Sequence, residues 1–108
     1  MTARYVLTPR AKRDLVQIGD SIADEAGLVI AEYVLEKFRE AFRFLAEQPG
    51  AGHVREDLAE DPAVKFWAVF SYFVAYAHEE RPLGIVAIVH GSRDPDVMRR
   101  QLRENRGS

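Results

Sequence analysis

The chain opens on a short β-prone run, Arg4-Tyr5-Val6-Leu7, that ends at Thr8-Pro9. A threonine here is a good helix N-cap, because its hydroxyl can accept an orphan amide of the first turn. The proline behind it suits the first helical position, where a missing N–H costs nothing. The pair predicts a strand running directly into a helix. Ala11, Leu15, Ile18 and Ile22 then recur at helical spacing as a narrow apolar stripe, with Lys12, Arg13, Asp14 and Gln17 off it. Gly27 breaks the pattern, and a second helix is predicted from near Leu28 to about Gln48. Its stripe is Ile30, Val34, Phe38, Ala41 and Leu45, widened by Leu35 and Phe42, so it should bury more than the first helix. Glu36, Arg39, Glu40 and Arg43 flank that stripe as exposed charges. Pro49-Gly50-Ala51-Gly52 ends it, since proline cannot continue the ladder and glycine permits left-handed backbone.

From His53 to Ala63 the chain is polar and acidic and reads as a connecting loop. The period then changes. Lys65 to Phe70 and Tyr72 to His78 are rich in aromatic and β-branched residues, with Ser71 as the turn between them. Glu79 to Gly84 reads as a hairpin loop, Ile85 to His90 as a third strand, and Asp94-Pro95 as the start of a short basic helix through Leu102. The order is strand, helical hairpin, then a three-stranded antiparallel run. Placing the first strand in the same sheet gives an α+β fold of two layers, with a short C-terminal helix.

A length of 108 residues sets the scale of one domain, and residues 1–108 are read as one. Such a domain can bury roughly two-thirds of the surface of its unfolded chain. The absence of cysteine excludes disulfides and thiolate metal sites and fits a reducing compartment. No apolar run resembles a signal peptide or spans a bilayer, so the expected location is the cytoplasm, with no membrane partner. The formal charge of −2 is unevenly spread: residues 1–13 carry four bases and no acid, residues 14–64 twelve acids against four bases, and residues 65–108 seven bases against five acids. So acidic a middle argues against an autonomous, nonspecific nucleic-acid binder.

The chain has no phosphate-binding glycine loop, no zinc-type histidine pair and no nucleophile motif. His53, His78 and His90 stand apart, so neither a metal nor a cofactor is expected. Glu56, Asp57, Glu60 and Asp61 read as a solvated connection, and Trp67 as a core residue. Tyr76, His90 and Arg93 are more suggestive, because strand ends and the loops after them often hold function. Arg93 suits two roles equally, a clamp for phosphate or carboxylate and a tie within its own turn.

Several stretches together resemble the RelE/ParE superfamily of toxins from toxin–antitoxin pairs, and its ParE branch most closely. They are Tyr5-Val6-Leu7-Thr8-Pro9-Arg10-Ala11 with Asp14-Leu15 and Ile18, then Leu45 to Gly52 with Val54-Arg55-Glu56-Asp57-Leu58, then Tyr72-Phe73-Val74-Ala75-Tyr76, and finally Val86 to Asp94. The resemblance spans about residues 4–94. It implies a cognate antitoxin whose tail lies along the toxin, with DNA reached only through the antitoxin complex. For the ParE branch it implies poisoning of DNA gyrase by binding, and for the RelE branch ribosome-dependent cleavage of mRNA. A third role is that of a degenerate member serving its antitoxin in a self-repressing complex. One fold serves these functions, so fold alone does not choose. Where family members often carry two arginines this chain has Ala77 and Ala87. A hairpin centred near Pro82 would set these two opposite each other, both cations gone from one patch. Their loss weakens the nuclease reading and favours a toxin that acts by binding. Arg55, Lys65, Arg93, Arg99 and Arg100 are then the candidate target contacts, with Arg103 adding attraction, and Tyr76, His90 and Arg93 the active-site equivalents if the protein were a nuclease.

Overall fold

The structure, a computed structural model, describes residues 4–91. Strand β1 (Tyr5–Leu7) leads into helix α1 (Pro9–Ala26), helix α2 (Leu28–Glu47) and a single 3-10 turn (Pro49–Ala51). Strands β2 (Val64–Val69), β3 (Tyr72–Ala77) and β4 (Leu83–His90) follow. The sheet order is β1-β4-β3-β2, with β1 parallel to β4 and the other pairs antiparallel. This is the expected α+β arrangement. The expected C-terminal helix lies outside the described residues, as do Arg93, Arg99, Arg100 and Arg103.

Thr8 does more than cap. Its hydroxyl accepts the Ala11 amide at 3.1 Å and donates to the Val86 carbonyl at 2.6 Å. β1 pairs only with residues 83–85 of β4, so the edge of β4 beyond Ile85 is left to α1. Thr8 takes Val86 and, further along α1, the Asp14 carboxylate accepts the Ile88 amide at 3.0 Å while Arg10 donates to its other oxygen at 2.8 Å. Asp14, read from the sequence as a residue off the apolar stripe, is therefore buried. It completes an edge that a three-residue strand cannot cover.

Both faces of the sheet are closed. On the helix side Val74, Tyr76, Leu83, Ile85 and Ile88 pack against Ala11, Ile18, Phe38, Phe42 and Leu45. On the other side Val64, Phe66, Ala75, Ala77, Val86, Ala87 and Val89 pack against Leu58 and Ala59 of the loop before β2. That loop reads from the sequence as a polar, acidic connection; two of its residues, Leu58 and Ala59, also cover a sheet face. Ile30, expected on the buried stripe of α2, is about half exposed, and Ala31 is buried in its place. The helical hairpin overhangs the sheet at this end, so the register of the stripe is right from Val34 onward only.

The β3–β4 register also departs from expectation. Ala87 pairs with Ala75, and Ala77 with Gly84, the register shifting between Ala75 and Tyr76. Val86 is the extra residue on β4, which is why Val86 and Ala87 both face the loop side. The hairpin closes three residues earlier in β4 than expected, with Ala77 opposite Gly84, and the bulge restores only one of these, so Ala77 and Ala87 are out of direct opposition although they still share a face.

Candidate functional site

The residues singled out from the sequence do not form one cluster. Arg55 lies in the loop on the far side of the sheet from the helices, its guanidinium 5.4 Å from the centre of the Phe73 ring. Its Nε and one Nη donate to the two oxygens of the Asp57 carboxylate, at 2.9 and 2.7 Å. That bond holds the Arg55 pKa above its ordinary value, partly opposed by burial. Lys65 alternates with Val64 and Phe66 and shares the parity of Trp67 and Val69, so it stands on the helix side. The two described target-contact candidates thus occupy opposite faces.

Tyr76 is wholly buried. Its hydroxyl donates to the Pro49 carbonyl at 2.7 Å and accepts the Gly52 amide at 2.9 Å. Burial raises its pKa, and the Gly52 hydrogen bond partly offsets the rise. A side chain at position 52 would come within 2.5 Å of this hydroxyl and 2.7 Å of the Phe66 carbonyl, so the loop can approach only as glycine. Tyr76 therefore pins the turn after α2 onto the sheet. His90 lies at the other end of the sheet, its ring edge-on to Tyr72 at 5.0 Å, and Tyr72 is edge-on to Phe38 at 5.7 Å. Among the acids of the loop, Asp57 holds Arg55, and Asp61 accepts the Ala63 amide at 2.9 Å. These contacts shape the loop. Among the described residues no group of three or more metal-binding side chains is gathered, and no helix is long and apolar enough to cross a membrane.

What the sequence reading missed is an aromatic groove between α2 and β2. It is lined by Lys37, Glu40, Ala41, Phe44, Trp67, Ala68, Val69 and Phe70. Phe44 and Trp67 are 5.2 Å apart between ring centres, and Tyr33 reaches Phe70 at 6.5 Å. Tyr33, Phe44 and Phe70 are all exposed. Lys37 lies 5.4 Å from the Tyr33 ring and pairs with Glu40 at 3.2 Å, which raises the Lys37 pKa. A signal was present in the sequence: positions 33, 37, 40 and 44 share one helix face, and two of them are aromatic residues off the core stripe.

The fold is a two-layer α+β domain: a helical hairpin laid on one face of a four-stranded sheet whose short first strand pairs in parallel with the last. Residues 5–95 match the model of the ParE toxin of type II toxin–antitoxin systems, parDE, and the chain belongs to this family. Among solved structures it is similar to a chain described as the chromosomal ParDE toxin–antitoxin system from P. aeruginosa, with 19% identity over 80% of this chain and 92% of that one, and a TM-score of 0.67. At that identity the likeness is one of fold. Comparison with curated protein sequences gives no match.

Proposed function

We propose that this ParE-family toxin acts by binding, that its target is DNA gyrase, and that a cognate antitoxin neutralises it. The observation that carries the reading is the closure of the loop-side face. Ala77 and Ala87 are only 2% and 1% exposed and lie in an apolar cluster with Leu58 and Ala59. RNA cleavage on this fold would call for preorganised cations around a phosphate. On this face the described cation is Arg55, and it is paired through two of its N–H donors with Asp57. A stoichiometric contact needs no such cluster. DNA enters only through the antitoxin complex, and no cofactor takes part.

The test is supercoiling by purified gyrase with increasing amounts of the folded protein, scored for lost supercoiling and for trapped, cleaved DNA. Inhibition near equimolar toxin is expected, and no effect at large molar excess rejects gyrase as the target. Primer extension on translating ribosomes should show no codon-positioned cuts. Cuts that disappear in His90→Ala would instead assign the protein to the nuclease branch.

A further inference from the structure

We infer that the tip of the helical hairpin is the surface with which the protein contacts its target, and that it fits a cleft of that target with an apolar floor and walls of lysine and arginine; this rests on the reading of the chain as a toxin that acts by binding. The first observation is exposure. Leu28, Val29 and Ile30 open α2 where the hairpin overhangs the sheet, and they are 76%, 82% and 47% exposed. Tyr33, one turn beyond Val29 and Ile30, is exposed as well. Apolar residues scattered singly over a surface need no explanation, but consecutive ones at a helix end form a patch, and a patch rimmed by polar groups marks a contact site.

The second observation is charge. Between Asp14 and Lys37 the chain has no lysine, arginine or histidine. Asp20, Asp24 and Glu25 stand on the last two turns of α1 and Glu32 on the second turn of α2, all exposed. None of them makes an ion pair among the described residues. The bases that follow on α2 are engaged, Lys37 with Glu40, and Arg39 and Arg43 with Glu36. These acids do not serve the fold. Asp24 and Glu25 lie in the last turn of α1, where negative charge opposes the helix dipole, and that turn holds no base. Asp20 and Asp24, four residues apart on one helix face, repel each other. Nor do the acids cap α2, whose first turn has none and whose N-cap, Gly27, makes no side-chain bond. Charges that are locally unfavourable, set beside exposed apolar residues, are the mark of a functional surface whose partner supplies the compensation.

The sign of the charge selects the occupant. In a two-fold contact with a second copy the same carboxylates would face one another. An anionic membrane or a nucleic acid would repel them likewise. A protein surface rich in lysine and arginine compensates them, and a protein that handles DNA carries such a surface to neutralise phosphates.

Purified gyrase is the probe, read as the amount of folded toxin that halves supercoiling. Growth arrest on expression is a second readout that presupposes no target. Leu28→Ser with Val29→Ser removes the apolar tip, and Asp24→Lys with Glu25→Lys reverses its charge. Each pair should raise the half-inhibitory amount by about tenfold or more. The effect of the charge pair should shrink as salt rises. Thermal unfolding separates contact from fold: lysines in the last turn of α1 suit its dipole, so the charge pair should melt no lower than the wild type while it inhibits less. Tyr33 reaches Phe70 in the β2–β3 turn, which puts the β3–β4 turn at the opposite end of the sheet. Glu79→Lys in that turn should leave inhibition unchanged. Unchanged inhibition in both pairs overturns the tip and leaves gyrase as the target. Loss confined to the apolar pair overturns the basic partner. A wild type that arrests growth without affecting gyrase rejects gyrase alone; the tip then stands if the charge pair relieves the arrest and falls if it does not. Self-association of the wild type that the apolar pair dissolves, with inhibition unaffected, makes a second copy the occupant and overturns the assignment. A folded wild type that neither arrests growth nor inhibits gyrase overturns the toxin reading and the tip together.

Discussion

Replacing Tyr76 by phenylalanine isolates one hydroxyl in the centre of the molecule. The ring stays in the helix-side core, where the residue is fully buried. What is lost is the bond to the Pro49 carbonyl at 2.7 Å and the bond from the Gly52 amide at 2.9 Å. A typical hydrogen bond contributes about 1 kcal/mol net, whereas a buried donor left without a partner costs roughly 1–3 kcal/mol. Gly52 is buried and Pro49 is half-buried, so the orphaned amide dominates. The expected loss is about 2–3 kcal/mol, and at about 4–8 °C per kcal/mol for a domain of this size the midpoint should fall by roughly 10–20 °C. Urea and thermal denaturation followed by circular dichroism measure it. The same hydroxyl predicts a pH dependence. Burial makes the folded state hold the phenol proton more tightly than the unfolded chain does. The stabilisation from Tyr76 is thus complete below the ordinary tyrosine value of about 10 and is lost as pH rises through it toward the folded value. The gap between wild type and Tyr76→Phe should therefore narrow above about pH 10. A loss below about 0.5 kcal/mol at neutral pH, the level of an ordinary surface change, would refute the claim that this hydroxyl pins the turn.

Asp14→Ala leaves the Ile88 amide without its acceptor and Arg10 without its partner, and should cost about 2–3 kcal/mol in urea denaturation, with Asp14→Asn losing less because one carbonyl oxygen remains. Phe70→Asn should raise stability by up to about 1 kcal/mol, since asparagine tolerates the left-handed backbone that Phe70 adopts; a decrease would mean that its ring packing outweighs the strain. Ala87→Arg forces a guanidinium into the cluster beneath Leu58 and should either destabilise the fold by about 3 kcal/mol or more or expel the loop, seen as faster amide exchange at residues 56–60.

The elements read most directly from the sequence are those specified by neighbouring residues. Thr8-Pro9 marks the strand-to-helix junction because cap and first-turn chemistry are local, and the aromatic and β-branched runs mark β2, β3 and β4 for the same reason. What stayed hidden depends on distant partners. Asp14 is a polar residue on a charged helix until β1 proves too short to cover β4, and its partner Ile88 lies 74 residues away. Leu58 is one apolar residue among acids until the opposite sheet face presents alanines to it. The bulge at Val86 carries no proline or glycine to announce it, yet it decides which face Ala87 occupies. The sequence-derived candidates were chosen one by one for their chemistry. Arg55 and Lys65 prove to face opposite ways, and Tyr76 is occupied by main-chain partners, while the aromatic groove needed both α2 and β2 in place to be seen.

Ala77 and Ala87 have a cause in the packing. Ala75, Ala77 and Ala87 lie together on the loop-side face, Ala75 paired directly with Ala87. Small side chains leave this part of the sheet low enough for Leu58 and Ala59 to settle on it, and Leu58 is completely buried there. An arginine at either Ala77 or Ala87 would have to be desolvated beneath Leu58 or push the loop away, and an unpaired buried charge costs far more than the packing of one leucine returns. A cationic patch and a covered face are therefore mutually exclusive on this surface. Closure of that face by the loop leaves the groove between α2 and β2, built of Phe44, Trp67 and Phe70, as the surface where exposed aromatic area and unpaired strand edge coincide among the described residues.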